Sequence, residues 1–436
     1  LTPYVIYTDL FENGGTARNG VRASGSYEFN RWMTVGLEGN WNEVRQDQPG
    51  QPAFIATVVP EDYPGNPFGE NLLMLRMFPE MQPYTTSQMR MNAYNASAYM
   101  RGDMGRSWRY ETRYDRPWSD YRIVGAGAGG TFDSNRVPAA IFNPDPAQRP
   151  ILLNDGTRSA PNSPEMYRSF LTPARFRERP RQETWSAVFD GPLAEWAGGT
   201  LRMAAGLERR NESVSFDIDV DSAISDLQVS VDRYARTTDA VFAELRVPLL
   251  GEKRHVPLVH KLEATVSARR DDYSDFGSDT VFRYGLLYRP VQWLALRASY
   301  GEGFKVPSLI ELYQPEDNSR GTPIDVRDPL RGNQLMDYAV DFISGGNASL
   351  RPERSENISA GMVLDVPGVK GWSITLDYYD IKNIDRVGRP NFAMLLTGLM
   401  PDLVVRDAPS DGFAVGRVLS LDVREHNFAY LRVSGW

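Results

Sequence analysis

Residues suited to catalysis or metal binding are scarce in this sequence. There is no cysteine, which excludes thiolate metal sites, iron–sulfur clusters and catalytic thiols. The three histidines, His255, His260 and His426, include no pair at the helical spacing of metal ligands. A His-Glu-x-x-His motif, a Gly-x-Ser-x-Gly elbow and a Gly-Lys dipeptide are also missing, so zinc-peptidase, serine-hydrolase and P-loop chemistry have no basis. We predict that the chain is not an enzyme and needs no cofactor.

Three features imitate functional sites without completing them. Residues 123–130 are rich in glycine, but no helix can follow directly to receive a dinucleotide phosphate, and a crowded strand explains small residues more simply. The acidic residues 271–279 lack the twelfth-position glutamate of a calcium loop, where Phe282 stands, which favours a solvated turn. Carboxylate pairs such as Glu61–Asp62 and Asp377–Asp380 cannot be placed at glycosidase spacing from sequence. We therefore predict no metal site.

Composition limits the fold class. The chain has 436 residues, a net charge of -8 and 11% aromatic residues, a content that favours strands. At about 150 residues per domain, its length predicts about three globular domains unless the chain forms one large barrel. The mean hydropathy of -0.43 and the lack of a long apolar run exclude a helical membrane protein. No basic segment stands out, so we expect no nucleic-acid partner.

Alternation of apolar and polar residues is the dominant pattern. In residues 262–268, 282–288 and 294–300 every second residue is apolar or aromatic, which predicts three consecutive half-exposed strands. Residues 358–366 and 372–378 repeat the pattern across a short turn, as in an antiparallel hairpin. Further candidate strands are residues 21–29, 33–41, 94–100, 108–114, 185–189, 201–207 and 241–247. We expect roughly 14 to 16 strands of about nine to eleven residues in an all-β, antiparallel fold.

The predicted connections are short at one end of the hairpins and long at the other. The long ones span residues 42–91, 132–181 and 301–356, and local helices are predicted around residues 308–312 and 392–399. Short turns opposite long loops are typical of outer-membrane barrels. The alternation alone also fits a secreted β-sandwich or propeller, whose apolar face would be an ordinary core.

Two segments resemble the barrel of TonB-dependent outer-membrane receptors. Residues 269–313 are similar to the hairpin and following strand of that family, and residues 346–387 to its next two strands, in the same order. The matching residues of the first segment are Arg270, Asp272, Tyr273, Ser274, Phe276, Gly277, Gly303, Phe304, Lys305, Pro307, Ser308, Glu311, Leu312 and Tyr313. Those of the second segment are Leu350, Pro352, Glu353, Asp377, Tyr378 and Tyr379.

The resemblance implies a transmembrane β-barrel in the outer membrane of a Gram-negative bacterium. Residues 1–436 would form one barrel segment with fewer than the 22 strands of a plugged barrel, without the plug domain and the last strands. The implied function is an outer-membrane receptor and active transporter for a siderophore, vitamin, haem or glycan. Its expected partners are membrane lipid, the substrate, its own plug domain, and the TonB protein through a missing N-terminal segment. An outer-membrane structural or adhesion barrel is an alternative.

In such a barrel the alternation assigns the two faces of the wall. Phe282, Tyr284 and Leu286 would face lipid, while Arg283 and Arg297 would face the lumen, because arginine is costly on the lipid side. Pro307 and Ser308 predict a capped helical turn, with Glu302, Lys305 and Glu311 available for ion pairs. Aromatic residues in the long loops that could stack on a ligand are Tyr63, Phe68, Tyr84, Tyr167 and Phe170.

Overall fold

The computed structural model describes residues 15–48, 53–63, 66, 68–78, 86–105, 107–125, 140, 143, 145, 148–150, 162–171, 174–196, 198–221, 226–251, 256–323, 325–369 and 371–436. In chain order the strands are β1 (Thr16–Asn30), β2 (Met33–Gln48), β3 (Ala53–Val59), β4 (Leu72–Phe78), β5 (Ser87–Met104), β6 (Trp108–Gly125), β7 (Ala174–Glu178), β8 (Arg181–Trp196), β9 (Gly199–Asp221), β10 (Asp226–Leu250), β11 (Lys261–Tyr273), β12 (Gly277–Val291), β13 (Leu294–Lys305), β14 (Asp317–Gly321), β15 (Arg327–Asp328), β16 (Gln334–Leu335), β17 (Val340–Ser344), β18 (Glu353–Asp365), β19 (Ser373–Gly388), β20 (Val404–Arg406), β21 (Val418–Asp422) and β22 (His426–Gly435). The helices are α1 (Pro164–Ser169), α2 (Leu309–Tyr313) and α3 (Phe392–Leu396).

One large sheet dominates the described residues. It has 14 strands in the order β1-β2-β5-β6-β7-β9-β10-β11-β12-β13-β18-β19-β22, with β8 paired to β6 and β9. Strands β7 and β8 share one position in this order, because Pro180 between them lacks the N–H group that a continuous ladder needs. Neighbouring strands of this sheet are antiparallel. The predicted all-β class and strand number are confirmed.

The helices found in the described part of the chain include none that is long and apolar enough to cross a bilayer.

The cross-strand register separates the sheet into an apolar and a polar face. Val266 lies opposite Tyr284, Tyr284 opposite Tyr300, and Tyr300 opposite Ile358. Directly opposed side chains share a face, and this apolar face is exposed, with Tyr284 at 47% and Leu286 at 45%. Other exposed members are Val21, Leu37, Trp185, Leu207, Val241, Leu245, Leu296, Ile374 and Leu376. A sandwich would bury this face against a second sheet, so the sandwich alternative is wrong.

Aromatic rings mark the two borders of the apolar face. On β6, Tyr110 and Trp118 point to this face, and at ~3.3 Å per residue they lie roughly 26 Å apart along the strand. Trp118 stacks on Tyr94 with ring centroids 5.0 Å apart, and Tyr27 contacts Phe29 near the short turn after β1. An apolar band about 25 Å tall between aromatic girdles is the signature of a barrel in an outer membrane.

The strands are longer than predicted. Strands β9 and β10 have 23 and 25 residues, against the expected nine to eleven. Their extra length lies at the end with the long connections, where Arg236 pairs with Glu212 and Thr237 with Asn211. Polar residues occupy both faces at this level. Beyond it, the alternation resumes on the opposite face of β9, where Val214, Phe216 and Ile218 are buried.

Two of the long connections fold into one small lobe, which we call the loop lobe and define as residues 306–352 and 389–425. Its sheet has the order β14-β17-β21-β20, with β17 parallel to β21, and so joins the two connections. Six buried apolar side chains form its core, namely Met336, Val340, Leu395, Leu396, Val418 and Leu421. The long connection predicted at residues 301–356 is therefore folded, and the connection between β19 and β22 completes its sheet.

Candidate functional site

Short ion pairs hold the charged side chains of the polar face, which is the face expected to line the lumen. Arg113 lies 2.9 Å from Asp115 and 3.5 Å from Glu38 on a strand farther along the sheet. Equivalent cross-strand pairs are Arg109–Asp190, Arg246–Glu263 and Arg269–Glu208. Such pairs between half-exposed groups add little stability singly, but they make this face a hydrated, charged wall.

The two arginines predicted to face the lumen lie on the polar face. Arg297 donates to both carboxylate oxygens of Asp377 at 2.7 Å, across the intervening strand β18. The crossing is possible because Gly361 lies between them in register, where a Cβ atom would stand 1.9 Å from Asp377 Oδ1. Arg283 lies opposite Gly301 on the same face, and its side chain covers that glycine. The role of Arg283 and Arg297 as lumen groups stays a prediction.

A buried arginine that the sequence did not single out joins two of the motif segments. Arg236 on β10 is 3% exposed and lies 2.8 Å from Asp275 in the β11–β12 turn. Its guanidinium also donates to the Pro307 carbonyl at 2.9 Å and lies over the rings of Phe276 and Tyr273, at 5.3 and 5.9 Å. Arg236 therefore holds the turn and the segment before α2 together.

Helix α2 begins with the capped turn that the sequence predicts. The Ser308 hydroxyl accepts a hydrogen bond from the Glu311 amide at 3.2 Å, and the Glu311 carboxylate accepts one from the Ser308 amide at 2.6 Å, which is a capping box. Lys305 lies 2.9 Å from Glu353 and 3.6 Å from Glu311. The ion pairs expected for Lys305 and Glu311 are present.

The apolar side of α2 is fixed against the sheet. Leu309 packs on the buried side chains of Val214, Phe216 and Ile218 on β9. Tyr313 stacks on Tyr234 with ring centroids 4.5 Å apart, and Leu312 is 4% exposed. The motif segment 303–313 is thus an internal brace of the wall.

The other motif residues lie on strands β11, β12, β13, β18 and β19 or in the segments beside them. Tyr273 meets Phe304 edge to face at 5.9 Å, Arg270 donates to Ser278 at 2.8 Å, and the Ser274 hydroxyl accepts from the Thr237 amide at 3.1 Å. Gly277 has a φ of +71°, which the tight β11–β12 turn requires.

The remaining motif residues have separate surroundings. Asp272 is exposed, and a Cβ atom at Gly303 would lie 2.7 Å from Ser355 Oγ. Leu350 is buried beside Pro352, Tyr378 contacts Trp436, and Tyr379 lies on the polar face opposite Ser359.

Replacing Arg236 with lysine tests the brace. Lysine keeps the charge but cannot bond Asp275 and the Pro307 carbonyl in the planar geometry of guanidinium. We expect a loss of about 1.5–3 kcal/mol in the free energy of opening of residues 306–313, because hydrogen bonds to a charged group are removed. Hydrogen exchange of this segment measures the change. Lys305→Ala, at an exposed pair, is the control and should cost at most ~1 kcal/mol; equal effects would contradict the role of Arg236.

A second buried arginine organises the loop lobe. The side chain of Arg331 is fully buried, lies 2.8 Å from Asp411 and donates to the Val415 carbonyl at 2.7 Å. Its guanidinium stands 4.6 Å from the Phe413 ring. All three partners belong to the other connection, so Arg331 links the two halves of the lobe.

The base of the lobe is also tied by charge. Burial raises the pKa of the Asp422 carboxyl, but hydrogen bonds from the Arg424 side chain and backbone outweigh it, so this pKa lies below its usual value. Arg424 also bonds Glu316 at 3.0 Å, which joins the two connections again. The Asn347 amide donates to the Glu425 carbonyl at 2.8 Å. The lobe is therefore a fixed surface at the end of the barrel wall.

Most of the loop aromatics expected to meet a ligand are buried instead. Tyr63, Tyr167 and Phe170 are 3%, 1% and 2% exposed. The Tyr63 hydroxyl donates to the Pro150 carbonyl, and burial raises the pKa of Tyr63 to about 12. These three rings serve local packing. Phe68 is exposed at 67%, and Tyr84 lies outside the described residues.

The features that imitate chemical sites have structural partners. Asp275 and Asp279 of the acidic turn are bound by Arg236 and Arg354. Asp377 and Asp380 lie on opposite faces of β19, so they cannot act as a carboxylate pair. The glycine-rich run continues from Gly125 into residues outside the described part. Among the described residues, no group of three His, Cys, Asp or Glu side chains could hold a metal ion.

Known proteins match this chain in both sequence and fold. A stretch of 118 residues, 27% of the chain, is 29% identical to the vitamin B12 transporter BtuB of Vibrio cholerae and covers 15% of that protein. The siderophore receptor PirA of Acinetobacter baumannii superposes with a TM-score of 0.54 at 12% identity, over 99% of this chain and 52% of that one. A variant of the ferric enterobactin receptor PfeA of Pseudomonas aeruginosa, in complex with enterobactin, gives 0.56 at 12% identity, over 97% and 50%. The chain thus spans about half the length of these solved receptors.

Residues 60–391 match the family described as TonB dependent receptor-like, beta-barrel. This match covers most of the sheet, including the braced segment 303–313 and the strands that carry the apolar face. The apolar face is accordingly the lipid-facing side of a barrel wall in the outer membrane of a Gram-negative bacterium, and the end with the long connections is extracellular. The chain belongs to the TonB-dependent receptor family and forms part of its β-barrel.

Proposed function

We infer that the protein containing this chain is an outer-membrane receptor that imports a scarce nutrient. The substrate would belong to the siderophore, vitamin, haem or glycan class and would be too large to diffuse through a porin. Transport would be energised by TonB and controlled by a plug domain within the lumen. The relatives named above, a vitamin B12 transporter and two siderophore receptors, support this class of substrate without selecting one member.

The observation that carries the proposal is the loop lobe at the extracellular end. A folded lobe with its own core and the buried Arg331 offers a rigid surface at the mouth of the barrel. A structural barrel has no need of such a surface. Preorganised surfaces bind small ligands well because less conformational freedom is lost on binding.

Uptake by living cells tests this function. A strain lacking the gene should lose uptake of one radiolabelled substrate among a ferric siderophore, cobalamin, haem and an oligosaccharide, and the full-length gene should restore it. Collapse of the inner-membrane potential with a protonophore should abolish the restored uptake, because the transport is energised. Unchanged uptake of all four substrates in the deletion strain would instead indicate a structural or adhesion barrel.

A further inference from the structure

A cleft of about 390 Å³ lies on the lipid-facing side of the wall, where β6, β8, β9 and β10 meet. Arg181 lies opposite Trp118, which stacks on Tyr94 in the extracellular girdle. Ser213, opposite Arg181, alternates with Val214, whose side chain is buried against α2 on the inner side. The Ser213 side of the wall therefore faces outward, and the cleft opens toward lipid at the height of the girdle.

The lining of this cleft is strongly cationic. Four arginines contribute to it, Arg116, Arg179, Arg181 and Arg233, against a single carboxylate from Glu183. Glu183 lies 3.2 Å from Arg116 and so neutralises one of the four charges. In the described part of the chain, the other three arginines form no ion pair, and the Nε atom of Arg179 is buried without a hydrogen-bond partner.

Several other arginines on this face at the extracellular rim have carboxylate partners. Asp120 accepts from Arg177 at 2.7 Å and from Arg122 at 3.0 Å. The almost fully buried Glu43 lies 2.6 Å from Arg90 and 2.9 Å from Arg45. Asp380 lies 2.7 Å from Arg432. The cleft differs from these positions because it brings three arginines without a carboxylate partner together among the described residues.

The strand break at Pro180 creates this arrangement. Arg179 exchanges backbone hydrogen bonds with Ser215 at 3.0 and 3.4 Å, and Arg181 pairs with Ser213, so both arginines project outward on either side of the proline. Below them on the same face, Trp185 and Leu207 are exposed at 56% and 61%. A molecule bound here would meet guanidinium groups at its head and apolar side chains along its tail.

We propose that this cleft binds the phosphorylated headgroup of an outer-leaflet lipid. Phosphate monoesters match the forked donors of arginine and accept several charge-assisted hydrogen bonds at once. Arginine side chains also reach naturally to the headgroup level while their stems remain in the apolar region. The acyl chains would run along the face that carries Trp185 and Leu207. This site is separate from the lumen and the loop lobe, so it does not depend on the proposed substrate.

Binding of a defined lipid to the purified full-length protein tests the site. The probe is an acylated glucosamine disaccharide with two phosphates, titrated into detergent-solubilised protein and followed by native mass spectrometry. The variant Arg179→Gln/Arg181→Gln/Arg233→Gln should bind it at least tenfold more weakly than the parent. The matched control, Arg22→Gln/Arg101→Gln/Arg283→Gln, removes the same charge from the polar face and should bind like the parent.

Three results would overturn the proposal. The cleft variant could bind as tightly as the parent, or the same lipid without phosphates could bind equally well. Inorganic phosphate could also displace the lipid at equal concentration, which would indicate a site for a free anion and not for an amphiphile. Resistance of each variant to unfolding in detergent, read as heat-dependent mobility on a gel, distinguishes a lost site from a lost fold. If the cleft variant alone does not fold, the single Arg181→Gln change should still weaken lipid binding, and its failure to do so contradicts the proposal.

Discussion

Leu286→Arg is expected to destabilise the folded protein in a bilayer by about 2–4 kcal/mol. Leu286 lies on the lipid-facing side of β12, between Tyr284 and Tyr288 and opposite Ala264 and Ala298. A charge near the middle of the apolar band costs about 2–4 kcal/mol, which corresponds to a ~30- to 1000-fold loss in the folding equilibrium. Folding of the full-length protein into phosphatidylcholine vesicles, measured by heat-dependent gel mobility across a urea series, gives this equilibrium.

The neighbouring leucine supplies the control. Leu287 has the same side chain one residue later on the same strand, but it lies on the polar face opposite Glu263 and Arg297. An arginine at this position would stand in the hydrated lumen near a carboxylate, so Leu287→Arg should cost at most ~1 kcal/mol. If Leu287→Arg destabilised the protein as much as Leu286→Arg, the assignment of the two faces would be wrong.

The second large effect is expected at Arg331 in the loop lobe. Arg331→Met leaves the Val415 carbonyl without its donor and removes the contact with Asp411, both on the other connection. The hydrogen bonds from the buried guanidinium to the Val415 carbonyl and the Gln334 side chain are each worth about 1.5–3 kcal/mol. Their combined loss approaches the whole stability of so small a folded unit. We expect the lobe to open, while the barrel strands remain folded because their ladder is independent of it.

Proteolysis of intact cells separates this outcome from general unfolding. Chymotrypsin, whose sites at Phe413 and Leu419 neither variant removes, should cut the Arg331→Met protein within residues 404–425 at least tenfold faster than the parent, without a change in barrel mobility on a gel. Arg417→Met is the control. The Arg417 side chain is half exposed, and its guanidinium pairs with the same Asp411 carboxylate at a longer distance of 3.7 Å. Its cleavage rate should stay within about twofold of the parent, since exposed pairs contribute little. Similar rates for both variants would show that Arg331 does not hold the lobe together.

Much of the barrel wall could be predicted because the alternation of apolar and polar residues is visible within each short segment of sequence. Alternation such as Leu262 to Ala268 reflects a wall with lipid on one side and water on the other, and each predicted strand is present. The motif segments around Arg270 and Pro307 also predicted the correct family. The full strand lengths could not be predicted, because polar residues such as Thr237 and Asn211 interrupt the alternation before it resumes on the opposite face.

The site residues were harder to predict because they depend on distant partners. Arg236 stands in a polar stretch of β10, and only the fold brings it to Asp275 and Pro307. The loop lobe pairs Asp341 with Ser420 across two intervening barrel strands, a contact with no local sequence signal. Loop aromatics such as Tyr167 and Phe170 look the same in sequence whether they pack inward or face a ligand, and here they pack inward.

The parallel pairing of β17 with β21 also sets an order of events during biogenesis. The contacts of Arg331 that close the lobe join residues 79 to 84 positions apart, with the hairpin β18–β19 between them. The lobe can therefore close only when both connections are at the cell surface with β18 and β19 in the wall between them, and such non-local pairing is slow. Once formed, the lobe opposes withdrawal of the β18–β19 hairpin from the bilayer. Insertion of these two strands is then difficult to reverse.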